Sequence, residues 1–146
     1  MRDWTRSAFL HLLAIPTRWM DNDNYGHVNN VQYYSYFDTA VNAFLISRGV
    51  LDIHADQAVG LVVDTGCSYF SSVSFPDTVH VGVRVAKLGN SSVRYELAIF
   101  RNDDPAPAAA GHFVHVYVDR ASNRPVPIPA AVRAVLATIA VAAPAA

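Results

Sequence analysis

The chain has 146 residues, 52% of them hydrophobic and 16% charged, with a formal net charge of −1. That length suits one domain spanning residues 1–146, burying about 70% of its unfolded surface on folding. The near-neutral balance and the absence of a basic stripe exclude nucleic acid as a partner. So little charge predicts that part of the surface is hidden in a contact between subunits.

A single cysteine, Cys67, excludes an intrachain disulfide and any multi-cysteine zinc site. The N-terminal apolar run, Ala8 to Ile15, is too short to span a bilayer, and no clean cleavage pattern follows it. The expectation is a cytoplasmic protein with no membrane partner, no metal and no cofactor. There is no internal repeat and no long linker.

In chain order, Phe9 to Trp19 reads as a strand running into a polar loop, Asp21 to Gly26. Asn29 or Asn30 can cap the helix that follows. From Val31 to Ile46, eleven of sixteen residues are apolar, and Gln32, Ser35, Thr39 and Asn42 fall on one narrow stripe. Such a helix must be largely surrounded by protein, and Gly49 stops it. Gly60 to Ser74 reads as a long strand closed by Phe75-Pro76-Asp77.

Three alternating strands follow, over Val79–Ala86, Val93–Phe100 and Phe113–Val118, with a loop at Arg101–Pro107. Clean alternation predicts antiparallel pairing with one face buried. Pro127 and Pro129 lead into a short final helix, Ala130 to Ile139, and an Ala-rich tail from Ala137 to Ala146 whose end should fray. The expected class is α+β: a five-stranded antiparallel sheet curled around a long central helix, plus a short C-terminal helix.

Chemistry concentrates in Asp21-Asn22-Asp23-Asn24-Tyr25-Gly26-His27-Val28-Asn29-Asn30, directly before the apolar helix. A helix start presents unpaired N–H groups and partial positive charge, which suit an oxygen on which negative charge develops. Gly26 lets the backbone turn tightly or approach a ligand. A carboxylate on one side and amide donors on the other match acyl transfer from a thioester.

The run Asp23-x-x-Gly26-His27-Val28-Asn29-Asn30-x-x-Tyr33-x-x-Tyr36-Phe37 resembles the signature of the hotdog-fold thioesterases, within them the 4-hydroxybenzoyl-CoA thioesterase-like branch. The likeness extends over roughly residues 10 to 135, including Tyr69–Val85, Gly89–Tyr95 and Val114–Pro129. It implies an acyl-CoA substrate, release of free acid and CoA, and a homodimer or homotetramer. By position it implies Asp23 as the catalytic carboxylate and the Asn30 N–H as the group that polarises the carbonyl. Some relatives carry histidine at the Asn30 position, so Asn30 is given no acid–base role. The aromatic run Tyr33, Tyr34, Tyr36 and Phe37 reads as mostly core, with one or two members as candidates for the acyl pocket; Tyr33 and Tyr69 are the aromatic candidates for substrate binding. Gly26 and Asn29 are the candidates at the turn, and Arg120, with Arg101 and Arg124, for the phosphates of CoA.

Each residue also has a plainer reading. Asp23 and Asp21 could form turns, and His27 could orient the loop rather than act as an acid. Asn29 could serve only as a cap. Asp38 could be a second carboxylate or pair with an arginine, and Cys67 reads as a small buried residue. His112 and His115 lack a plausible third metal ligand. Two other functions stay open: a hydratase or dehydratase of acyl thioesters using His27 with Asp23, and a module that binds thioesters without turnover.

Overall fold

The computed structural model describes residues 1–141, so the last five residues of the Ala-rich tail lie outside the described residues. Five strands and two α-helices follow in the order β1 (His11–Pro16), α1 (Asn30–Ser47), β2 (Ala58–Tyr69), β3 (Thr78–Leu88), β4 (Ser92–Arg101), β5 (Ala109–Asp119) and α2 (Ala130–Ala137). The strands form one antiparallel sheet in the order β1-β3-β4-β5-β2, and α1 packs on one face of it. The expected α+β architecture is the one found.

The core between helix and sheet follows from the two periods. On α1, Tyr33, Tyr36, Phe37, Ala40, Val41, Phe44 and Leu45 are buried at helical spacing. From the sheet, Val79, Val81, Val83, Val93, Tyr95, Leu97 and Ile99 meet them at every second position. Ser35 and Thr39 stay exposed on the polar stripe that the sequence marks. The helix ends as Gly49 enters the left-handed region at φ +74°. Gly49 N–H then bonds Ile46 O at 3.0 Å and Val50 N–H bonds Leu45 O at 3.1 Å, the paired closure of a Schellman motif.

Four expectations need correction. The first strand is only His11–Pro16, because short 3-10 turns at Arg6–Ala8 and Trp19–Asp21 flank it. The strand read as Gly60–Ser74 runs instead over Ala58–Tyr69; residues 70–73 leave the ladder, with Phe70 and Ser71 donating to Ala108 O. The last strand begins at Ala109, earlier than the alternation at Phe113 suggests. Ala109, Ala110 and Gly111 carry no pattern, yet packing on both faces takes small residues there: a Cβ on Gly111 would collide with the Gly66 carbonyl of β2 and press on the Phe37 ring, and Ala110 faces the opposite side of the sheet.

Finally, the sheet is not bare on its outer face. Phe9, Ala98, Phe100 and Ala110 form a second buried cluster with Trp4 and Phe70 packed against it. The Arg84 guanidinium covers the rings of Trp4 and Phe9 at 4.5 and 4.7 Å while bonding Glu96 at 2.9 Å. The N-terminal segment thus closes a face that alternation alone leaves to solvent.

Candidate active site

The loop before α1 is built by short-range bonds. Asp23 N–H donates to His27 O at 2.7 Å, Gly26 N–H to Asp23 O at 3.1 Å, and Asn22 bridges Val28. Gly26 has φ +79° with open space around its Cβ position, so it serves the turn rather than a close approach. The neck of the loop is closed by Asn29 N–H on Asp21 O at 2.9 Å.

Asp21 anchors that neck. It is 1% exposed, and its carboxylate accepts from the Arg18 backbone at 2.9 Å, the Arg18 side chain at 2.9 Å and the Tyr36 hydroxyl at 2.8 Å. Burial opposes its charge, but these donors and the Arg18 guanidinium hold its pKa below the ordinary carboxylate value. Tyr36 is pushed the other way, by burial and by the neighbouring Asp21. The bond therefore ties the loop to the second turn of α1.

The helix start is open. Asn29 caps it, its side-chain oxygen accepting from Val31 N–H at 3.1 Å, and Gln32 N–H bonds Asn29 O. Asn30 N–H has no partner among the described residues. No acidic residue occupies the first turn, so its positive end is not neutralised locally. Beside it lies a cleft of about 330 Å³ walled by His27, Val28, Asn30, Tyr33, Tyr69 and the stretch Phe70–Ser72. Tyr69 donates to Asn30 O at 3.2 Å and stands edge-on to Tyr33, ring centroids 4.9 Å apart. Val28 N–H bonds Val73 O at 2.7 Å, pinning the opposite wall.

Asn30, His27, Tyr33 and Tyr69 thus meet in one cleft, whereas Gly26 and Asn29 are not among its walls. Asp23 is not part of the wall. It is half-buried, and its Oδ1 accepts from the N–H groups of Tyr25 at 2.8 Å and His27 at 3.4 Å, an Asx-type turn. Its Oδ2 has no partner among the described residues.

Arg120 lies away from this group: its side chain bonds Ile53 O at 2.9 Å, beyond the C-terminal end of α1. Arg101 is nearer, donating to the carbonyl of Ser72 in the cleft wall at 3.3 Å. Asp38 takes no arginine; its carboxylate accepts from Asn42 one turn on, at 3.0 Å. Cys67 is half-buried, and burial pushes its thiol up to about 11, which leaves it protonated and a poor nucleophile. His112 bonds Asp64 at 3.0 Å, and among the described residues no three metal-ligating side chains converge. No helix among the described residues is long and apolar enough to cross a membrane.

Sequence reasoning missed Phe70, Ser71 and Ser72, which it placed inside a strand. The serine pair interrupting an apolar run was the signal that the strand had ended.

The sequence profile of the thioesterase-like superfamily matches residues 17–136. The chain belongs to that family. The thioesterase assignment agrees with solved structures across nearly the whole chain. The PA5185 protein from Pseudomonas aeruginosa is 55% identical, with TM-score 0.92, covering 95% of this chain and 97% of its own. The PA2801 protein from the same organism is 35% identical, with TM-score 0.81 and coverages of 86% and 97%. A Thermus thermophilus thioesterase, solved with coenzyme A and zinc, is 31% identical, with TM-score 0.75 and coverages of 90% and 95%. The protein is a thioesterase of the hotdog fold.

Proposed function

We propose that this thioesterase hydrolyses an acyl-CoA to free acid and CoA in the cleft beside the start of α1. The observation that carries the reading is the unpartnered N–H of Asn30, a residue that lines that cleft at the positive end of an 18-residue helix. A thioester carbonyl lodged there accepts from that amide, and the developing oxyanion is stabilised as it forms, an effect of about 10²–10³-fold for one donor. Tyr33 and Tyr69 give an acyl group an aromatic wall. The coenzyme A bound by the Thermus thermophilus relative supports CoA as the carrier, and Arg101, through its place behind Ser72, is a better candidate than Arg120 for contact with it.

Asp23 is the carboxylate we assign to attack the carbonyl carbon or to activate the water that does. Its Oδ2 is free for that purpose, and one side-chain rotation releases Oδ1 from the loop amides. A second reading has support in the geometry: His27 lines the cleft, whereas Asp23 does not. There the imidazole takes the proton from water and Asp23 only holds the loop. The two readings separate cleanly. Single turnover in oxygen-18 water labels Asp23 if the carboxylate is the nucleophile. Asp23→Asn abolishes most turnover under the first reading, and His27→Ala does so under the second. Thiol release monitored against enoyl absorbance tests hydrolysis against hydration, and acyl-CoA binding without thiol release would end the enzymatic proposal.

The assembly we propose is a homodimer or a pair of dimers. Edge strand β2 presents Leu61, Val62 and Val63 at 45%, 47% and 60% exposure, an apolar sheet edge of the kind soluble proteins cover. A monomeric mass by light scattering would reject it.

A further inference from the structure

A larger cavity, about 630 Å³, lies at the other end of α1, between the helix terminus, the start of β2, β5 and α2. It shares no lining residue with the cleft beside Asn30. Its walls are mainly aliphatic, with Leu45, Val50, Val59 and Val132 prominent, and its volume lies in the range of small-molecule sites.

One polar group in that wall is unexplained. His115 is 4% exposed, and neither ring nitrogen has a hydrogen bond among the described residues; Nε2 is wholly buried. Its ring packs edge-on against Tyr95, whose hydroxyl is likewise unpartnered. Buried imidazoles are ordinarily bonded. The other nitrogen, Nδ1, faces the space over Gly60: an atom added at the Gly60 Cβ position would stand 3.4 Å from it. Gly60 lines the cavity, so the missing side chain leaves Nδ1 open on that side.

We propose that this cavity is a second ligand site, taking an uncharged aliphatic or aryl alcohol whose hydroxyl bonds His115 Nδ1. The hydroxyl is favoured because it both donates and accepts, and so satisfies either neutral tautomer of the ring. Burial holds the imidazole neutral. The rim argues against charge. Asp52 and Asp56 both line it and repel an anion. Their carboxylates are already engaged, Asp52 by the amides of His54 and Ala55 and Asp56 by the amide of Asp52, so they hold little for a cation. Arg120, the one arginine there, spends a guanidinium N–H on Ile53 O.

The test is calorimetric titration of the full chain with 1-octanol. The expected result is saturable binding of one molecule per chain. Ala131→Trp, at an exposed position on α2 that lines the mouth, abolishes binding while circular dichroism stays native. His115→Phe weakens it about fivefold, the effect of one lost hydrogen bond. Tyr69→Ala, in the other cleft, leaves it unchanged. Absence of saturable binding overturns the proposal. So does binding that survives Ala131→Trp, that is indifferent to His115→Phe, or that disappears with Tyr69→Ala.

Discussion

The two ends of α1 are finished in opposite ways. At the C-terminal end the carbonyls are closed by Gly49 and Val50, and the neighbouring space is aliphatic with one buried imidazole. At the N-terminal end the cap leaves the Asn30 amide free, and Asn30 lines a shallow cleft with tyrosines and a histidine. A sealed terminus offers shape and a single hydrogen bond. An open one offers oriented charge, which is what a carbonyl acquiring negative charge requires. The difference teaches that two ends of one helix can offer opposite environments according to what each cap leaves unbonded, and the site proposed above uses the open one.

The sharpest way to break that contrast is Asp23→Asn. It should lower kcat by about 10²–10⁴-fold with the melting temperature unchanged; normal turnover of acyl-CoA by the folded variant would refute the assignment. Asp21→Asn acts one step back. It removes a buried charge that holds Arg18 and Tyr36, so stability should drop by about 3 kcal/mol in denaturant titration, and kcat should fall with it. The gentler Tyr36→Phe separates the two effects: it keeps the ring in the core and cuts only the tie to the loop. It should cost about 1 kcal/mol, and kcat should change more than KM if that tie positions Asp23. An unchanged kcat would show that the loop holds itself.

On β5, facing Phe37 of α1, Gly111→Ala should destabilise by about 1–3 kcal/mol, because Phe37 and the Gly66 carbonyl leave no room. Its kcat should survive at temperatures where the variant is folded.

The pH dependence sharpens the comparison further. Burial lowers the pKa of His115, and burial with the nearby Arg48 lowers that of His11. A depressed folded pKa means that the unfolded chain takes up the proton first. Both contributions are therefore complete above the ordinary histidine value of about 6.5 and are lost as pH falls through the depressed folded values. Denaturant midpoints should decline on that side. In His115→Phe the decline should be shallower; an identical slope would remove His115 from the account. The smallest effect expected is that of Arg120→Ala on catalysis, with KM for acyl-CoA within about twofold of normal, whereas Arg101→Ala should raise it several-fold, as exposed charge contacts do.

Much of this molecule was legible before its coordinates. The eleven apolar positions from Val31 to Ile46 required a buried helix, and valines at every second position required half-buried strands, because the two backbone periods admit little else. The density of turn and hydrogen-bonding residues from Asp21 to Asn30 pointed to the proposed site, since a solvent loop has no need of it. Other features were silent. Ala109 to Gly111 read as no strand at all, being poor in strand formers, yet close packing on the two faces of the sheet takes small residues there. The cover that Trp4 and Phe9 give the outer face depends on residues about ninety positions away in sequence, at Ala98 and Phe100.

The sequence by itself determined the elements, their faces and the turn-rich loop before α1, because those depend on neighbours within a few residues. Only the tertiary structure decided that Asn30 and His27 share a cleft with Tyr69 and Ser71 while Asp23 stands just outside it. It alone sent Arg120 to the far end of α1 and left His115 buried without a partner. Such relations join segments distant in sequence, and no local pattern encodes the packing that brings them together.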